Sequence, residues 1–377
     1  MHYTIGIGGV NMNLKRDTYA IVNLDHLKYN VKLAHDKFKR PLMAVIKADA
    51  YGHGYREVAS FLKDIDYIEM FAVATLPEAI ELRELGIKKG ILILGAIPTS
   101  KEDIDLAIQY DISLTMVSVD YLKLLDKLVD EGKTLRVHIK LDTGMHRIGL
   151  MTKEELETVL RLIDPDKFNV EGIFTHFATA DCDKEEFMKQ YHLFYEMVGN
   201  FKFKYIHCCN SAAMAYYDDQ KSNMGRLGIT MYGCSPAGKE GESFRQVMSL
   251  YTKVAMVKTI LPGDKVGYGL TYTAKEKEYI ATLPIGYADG FIRKNQGRHV
   301  YINGHFYEIV GRVCMDQMMV RVDESVKIGD QVEIFGDHIS LESMAQDLDT
   351  ISYEILCLVS KRVPRVYVQD GQVKNLI

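Results

Sequence analysis

Short apolar runs alternate with helical stretches from about residue 18 to 230, and this alternation limits the possible folds more than any other feature of the chain. TYAIVNL (18–24) reads as a strand, and DHLKYNVKLAHDKF after it as a helix capped by Asp25. LMAVIKA (42–48) is followed by a helix near 55–64. FAVAT (71–75) precedes PEAIELRELG, where Pro77 opens a helix and Gly86 closes it. ILILG, SLTMVS, RVHIKLD, VEGIFTH, YIHCCN and MGRLGI continue the series, with helices expected near 101–110, 119–131, 152–163 and 184–200 and a short one from Ser211. The runs are continuously apolar rather than alternating, as expected of strands covered on both faces. About eight βα units at a spacing of roughly 25 residues fit a doubly wound open sheet or a (β/α)8 TIM barrel, and the regular spacing favours the barrel.

After about residue 240 the pattern changes. SLYTKVAMVKTIL, EYIATLPIGY, HVYINGHFYEIVGRV, MMVRVD and DQVEIFG follow one another without intervening helices. Turn residues such as Pro262-Gly263-Asp264 and Asn303-Gly304 separate them, and one late helix, LESMAQDL (341–348), interrupts. The chain is therefore α/β, with a barrel over 13–240 and a mainly antiparallel β domain over 241–377. Residues 1–12 are expected to pack with the latter. The small, polar stretch 235–243 suits a boundary, and the early GIGG opens no helix after a strand, so it carries little weight as a phosphate loop.

Composition narrows the function classes. Apolar residues make up 47% and charged residues 26%, which suits a globular enzyme. Acids exceed bases, 51 to 46, which argues against nucleic acid as a partner. No apolar run is long enough for a membrane helix, and the start lacks a secretory pattern. The six cysteines show no regular spacing and read as reduced thiols in a cytoplasmic protein. Cys208 and Cys209, adjacent in the run IHCC, are expected to face opposite sides of a strand.

In a barrel the chemistry sits where strands end. The polar residues at these ends are Lys47, Asp49 and Tyr51, then Asp142 to Arg147, His176, Asn210-Ser211, and Arg226 to Ile229. Lys47 stands out, flanked by Val45, Ile46 and Ala48. Partial desolvation there lowers the amine pKa and makes it nucleophilic toward aldehydes. The alternative is a surface lysine whose ammonium reaches water along its stem.

AVIKADAYGHG (44–54) resembles the cofactor-lysine motif of alanine racemases, pyridoxal-phosphate enzymes of fold type III. The resemblance continues through KLDTGMHRIG, FTHFATAD, HCCNSAA, GRLGITMYG, VGYGLTYTA, PIGYADG, GRVCMDQ and ISYEIL, in order and over nearly the whole chain. It implies that Lys47 holds pyridoxal 5'-phosphate covalently and shares acid/base work with Tyr268. It implies that Tyr51, Ser211, the amides of Gly228 and Ile229, and Tyr353 hold the phosphate. Arg226 would face the pyridine nitrogen, with His176 and His207 beside it. Arg147 would touch the phenolic oxygen, and the Met315 backbone the substrate carboxylate. Cys314, Asp316, Tyr287 and Arg293 would line the entrance. No metal is implied. The family also implies a homodimer with shared active sites, alanine as substrate, and D-alanine for peptidoglycan as the use.

The residue types suit racemisation. A proton leaves one face of the α-carbon and returns on the other, so two bases are simpler than one that must move. Nearby positive charge such as Arg147 favours a tyrosinate. An arginine at the ring nitrogen leaves it unprotonated and weakens the electron sink. Three other readings compete. A serine or broad-specificity racemase would share these residues, although Tyr353 fills space and favours a small side chain. A decarboxylase of the same fold would need an acidic ring partner. A non-catalytic pyridoxal-phosphate carrier would lack the β domain and Tyr268.

Lys140 is a candidate for carbamylation. In RVHIKLD, Val137, Ile139 and Leu141 share one face, which turns His138, Lys140 and Asp142 to the barrel interior. Two cations, Lys140 and Arg147, close together would be costly. Loss of a proton, pairing with Asp142, or conversion to a carbamate relieves this, and the resembling family often shows the last. Asp181, Asp183, Glu185 and Glu186 read as helix-capping and solvated acids. His138, His146, His299, His305 and His338 read as ordinary polar residues.

Overall fold

The computed structural model describes residues 3–4, 11–12, 14, 16–97, 100–238 and 243–376. Most of the stretch 1–12 and the centre of the boundary segment 235–243 lie outside the described residues. The chain forms two units. One comprises residues 31–50 and 55–231, and the other draws on 1–30, 51–54 and 232–377.

The first unit is the barrel. Gly225–Leu227, Leu42–Val45, Ile68–Val73 and Gly90–Ile93 pair in that order, as do Leu114–Met116, Leu135–Lys140, Phe168–Phe174 and Tyr205–Ile206. All these pairs are parallel. A parallel bridge from Leu92 to Ser113 joins the two sets on one side. On the other, the Arg226 amide donates to the Cys209 carbonyl at 2.9 Å and the Asn223 amide to the Ile206 carbonyl at 2.9 Å. Eight strands thus close on themselves and leave no free edge.

The helices between them start where side chains satisfy their first amides. Thr75 with Glu78, Ser100 with Asp103, and Thr152 with Glu155 each form a capping box. Pro77 lies in the first turn of Leu76–Glu84 and Gly86 follows its end at φ 79°. Asp183 caps Lys184–Val198 by accepting from the Glu186 amide, the capping role expected of that acidic cluster.

The first expected barrel strand is not in the barrel. Tyr19–Asn23 pairs antiparallel with Met248–Lys253 and parallel with Arg365–Gln369, at the centre of a seven-stranded sheet in the second unit. An apolar run carries no mark of which sheet takes it; here eight later runs already close the barrel. The helix after it, Leu24–Phe38, is capped by Asn23, whose Oδ1 accepts from the amides of Asp25 and His26 at 3.0 Å each. Asp25 instead places negative charge in the first turn.

The rest of the second unit is mainly antiparallel. SLYTKVAMVKTIL divides into Met248–Lys253 and Met256–Ile260, which enter different sheets, the latter with Glu278–Leu283 and Met318–Val322. A second late helix, Ser352–Leu358, follows Leu341–Leu348. The hairpin His299–Ile302 to His305–Glu308 turns through Asn303 and Gly304, at φ 49° and 93°. Two positive φ values in a two-residue turn match the twist of the strands, and this selects Asn-Gly.

A Cβ on Gly304 would touch nothing within 4 Å, so only its backbone angle opposes a side chain. Gly304→Ala should therefore cost about 1 kcal/mol, from a left-handed penalty of about 1–2 kcal/mol less the reduced freedom of the unfolded chain. Urea unfolding measures this; an unchanged midpoint would show that the turn adopts another form.

Candidate active site

Lys47 follows the barrel strand Leu42–Val45 and is half-buried. The backbone after it is unusual. Ala48, Asp49, Ala50 and Tyr51 all lie at φ between 53° and 55°, a turn of left-handed helix built without glycine. Each such residue costs roughly 1–2 kcal/mol, so surrounding bonds must hold the turn. The Glu78 carboxylate accepts from the Ala48 amide at 2.7 Å, and Asp49 accepts from the Tyr55 amide at 2.9 Å. Glu78 therefore serves twice, in its helix cap and in fixing the residue next to Lys47.

The barrel interior beside Lys47 is cationic. Arg226 is buried, and its guanidinium donates to the carbonyls of His207, Thr175 (2.7 Å) and Cys208 (3.3 Å). Burial, its largest influence, pulls its pKa down to about 10, which still leaves a cation at neutral pH. Its Nη1 also meets His207 Nδ1 at 3.3 Å, and Nη2 meets His176 Nδ1 at 3.5 Å. Burial first, then the charges of Arg226, Arg147, Lys140 and Lys47, hold His176 well below its ordinary pKa.

The arginine also fixes tautomers. A guanidinium can only donate, so His207 Nδ1 accepts and its Nε2 carries the proton. That proton goes to His138 Nδ1, 2.8 Å away. His138 must then be protonated at Nε2, which has no hydrogen-bond partner and lies 3.8 Å from Glu171, beyond bonding distance. The sequence alone gives His138 as an ordinary polar residue. Its position two residues before Lys140, on the inward face of the same strand, was the available signal. Burial of the wholly enclosed ring, followed by the positive charge of Lys204, pushes its pKa down to about 3.

Lys140 is 3% exposed and donates to its own strand's carbonyl at Leu141 (2.6 Å). Burial, reinforced by Arg226 and Arg147, brings its pKa to about 7 against the opposing effect of Asp142. The expected alternative pairing with Asp142 is not made. The Asp142 carboxylate instead accepts the amides of Gly144, His146 and Arg147 at 3.0 Å each and shapes the turn that carries Arg147. His146 contributes only that amide. Ser211 and Gly228 also meet, with the Gly228 amide donating to Ser211 Oγ at 2.9 Å, and Ile229 is buried beside them in sequence. The barrel thus brings together Lys47, Lys140, Arg147, His176 and Arg226, with Ser211, Gly228 and Ile229 at neighbouring strand ends.

The other expected site residues belong to the second unit. Tyr51 is buried, its ring 4.8 Å from Tyr232 and 6.0 Å from Tyr353, and burial raises its hydroxyl pKa. The loop carrying Tyr51 is clamped: Arg365 donates twice to the Gly52 carbonyl, at 3.1 and 2.9 Å, and the Tyr367 hydroxyl to that of His53 at 2.9 Å. Tyr268 is 71% exposed between Gly267 and Gly269, at φ 74° and 73°. Met315 is also exposed. The PIGYADG loop lies directly on its loop: Ala288 donates to the Met315 carbonyl at 3.0 Å, and a Cβ on Gly286 would sit 2.3 Å from the Cys314 oxygen. Tyr287, Arg293 and Asp316 are exposed, and Asp316 pairs with Arg362 at 2.8 Å.

A closed barrel with a half-buried lysine after one strand and cations at its strand ends defines a class of barrel enzymes whose candidate site lies at the carboxyl ends of the strands. The comparisons narrow the class. Residues 22–236 match the model for the N-terminal domain of alanine racemase, and 247–367 that for its C-terminal domain. The alanine racemase of Ligilactobacillus salivarius is 42% identical over 367 residues, covering 93% of this chain and 98% of the relative. Alanine racemase 1 of Bacillus subtilis is 39% identical over 376 residues, covering 96% and 95%. The crystal structure of the Bacillus anthracis enzyme with bound L-Ala-P superposes with a TM-score of 0.90 at 37% identity, covering 97% of this chain and 98% of that one. The chain belongs to the alanine racemase family, a family of pyridoxal-phosphate-dependent isomerases.

The buried histidines set a pH dependence. In the unfolded chain an imidazole takes up a proton near 6.5, while folded His138 does so only near 3. Between these values the unfolded state holds the extra proton, so this contribution is complete above about 6.5 and is lost as pH falls. The loss is about 1.4 kcal/mol per pH unit for one such group. Urea unfolding at pH 7.5 and 5.5 should show a stability loss that His138→Gln reduces by roughly 1 kcal/mol. An identical loss in the variant would mean that His138 titrates normally.

Proposed function

We propose that this chain is an alanine racemase, holding pyridoxal 5'-phosphate on Lys47 and interconverting L- and D-alanine, with D-alanine serving peptidoglycan. Arg226 carries this reading. Its Nε–H makes no hydrogen bond among the described residues, while its other donors are engaged by carbonyls and two histidines. A fixed donor that cannot accept a proton suits an unprotonated pyridine nitrogen. Ser211 and the Gly228 amide suit a phosphate, with the Ile229 amide, Tyr51 and Tyr353 assigned to the same group.

When bound, the cofactor supplies an electron sink that acidifies the substrate α-hydrogen. The chain's own residues do the rest. Lys47 moves the α-proton of one enantiomer, and the phenolic oxygen of Tyr268 that of the other. Arg226 opposes protonation of the ring nitrogen and so limits the sink, which suppresses side reactions. Neutral His176 and His207 keep further charge away from that nitrogen. Arg147 orients the phenolic oxygen of the cofactor, and the Met315 backbone meets the substrate carboxylate.

The proposed assembly is a two-fold homodimer in which Tyr268 and Met315 of one chain serve Lys47 of the other. Their exposure in a single chain supports this. The six free cysteines suit a cytoplasmic setting, and no helix among the described residues is long and apolar enough to cross a membrane. Lys47→Ala and Tyr268→Phe should each abolish racemisation followed by chiral chromatography. Mixing the two inactive chains under verified exchange should restore about a quarter of the activity, because random pairing gives half hybrids with one intact site each. No recovery would place both groups in one chain.

We further propose that Lys140 is carbamylated. An amine near pH 7 in its titration, close to Arg147 and Arg226 and without a carboxylate pair, is reactive toward carbon dioxide. The carbamate would orient Arg147. Electron density at Lys140 and acetate rescue of Lys140→Ala check this; a plain amine with no rescue would show the idea to be wrong.

A further inference from the structure

Cys208 and Cys209 were expected to face opposite sides of a strand. The regular strand ends at Ile206, and beyond it both thiols turn into one buried pocket. Their sulfur atoms lie 4.0 Å apart. Asp219, also buried, reaches both: its Oδ2 is 3.2 Å from Cys209 Sγ and 3.8 Å from Cys208 Sγ. Ser222 Oγ lies 3.0 Å from Cys208 Sγ. None of these side chains has a part in the proposed racemisation.

The spacing can be compared with that of a bound ion. A tetrahedral ion with metal–sulfur bonds of about 2.3 Å and metal–oxygen bonds of about 2.1 Å sets its sulfurs about 3.8 Å apart and each sulfur about 3.6 Å from the oxygen. The observed edges are 4.0, 3.2 and 3.8 Å. Three donors thus already stand near one tetrahedral face, with Ser222 Oγ beside Cys208 Sγ. We propose that Cys208, Cys209 and Asp219 form a binding site for a thiophilic divalent cation of the zinc and cadmium class. Two thiolates select such an ion over magnesium or calcium, which favour oxygen.

The surroundings support the donor set. Asp219 is held in place by the Tyr191 hydroxyl (2.8 Å) and the amides of Lys221 (2.9 Å) and Ser222 (3.1 Å), so its free lone pairs point at the thiols. Tyr195 offers its hydroxyl 3.5 Å from Cys208 Sγ. Binding from the thiol form exchanges two S–H bonds for two metal–sulfur bonds and releases two protons to solvent. Entry is short, since Asp218, Gln220 and Lys221 around Asp219 are exposed. The site also adjoins the catalytic barrel interior, because the Cys208 carbonyl accepts from Arg226.

The test is titration of the cofactor-loaded enzyme with Cd2+, read as thiolate-to-cadmium charge-transfer absorption. The background carries Cys182→Ser and Cys357→Ser to remove the exposed thiols. One equivalent should bind, with absorption for two thiolates and release of two protons. Cys209→Ala should weaken binding at least about 100-fold, the loss of a direct ligand exceeding that of an outer one. Asp219→Asn should keep the two-thiolate absorption with weaker binding. Cys209→Ser, which preserves size, serves if the alanine variant does not fold. Absence of the band in the parent, or an equal band in either Cys209 variant, overturns the site.

Discussion

A single buried guanidinium organises the barrel interior. Arg226 leaves water only because carbonyls of three different residues receive it, and those carbonyls belong to Thr175, His207 and Cys208 on neighbouring strand ends. Removing a charge from water is expensive, so the cation and its acceptors must arrive together. The same residue's amide closes the barrel through Cys209. Arg226 thus contributes to fold closure through its backbone and to the site's electrostatics through its side chain.

The consequences spread through charge. Burial first, and then the Arg226 cation, keep the interior histidines neutral and draw the Lys140 amine toward neutrality as well. Direction follows too, since a group that only donates forces each ring in the row from His207 to His138 to pass its proton outward. The left-handed turn after Lys47 belongs to the same logic. Strained backbone persists where other bonds over-determine it, and Glu78 and Asp49 supply those bonds.

Much of this was legible in the sequence. Continuous apolar runs gave a covered parallel sheet, and polar residues at their ends gave the barrel's reactive face, including Lys47, His176 and Arg226. Asn303-Gly304 announced its turn through the one backbone geometry that suits it. Other features were hidden for physical reasons. Nothing in TYAIVNL says which sheet will accept it, because strand partners are chosen by long-range pairing. The convergence of Cys208 and Cys209 depends on where the strand stops, and boundaries are the weakest part of a pattern reading. Asp142 was placed on the correct face, but its amide partners arise from a turn that no periodicity encodes. His138 lacked ligand spacing and became informative only through its neighbour His207.

The strand Tyr19–Asn23 has a consequence for how the chain is made. It is made before the barrel strands, yet its partners are Met248–Lys253 and Arg365–Gln369, both made after them. The barrel between them needs only residues 31–50 and 55–231, so it can close during synthesis. The early strand must wait, unpaired, until Met248–Lys253 has been made, and gains its second partner only with Arg365–Gln369. Its neighbours Thr18, Asn23 and Asp25 are polar, and such flanks keep a waiting apolar segment from joining the wrong edge.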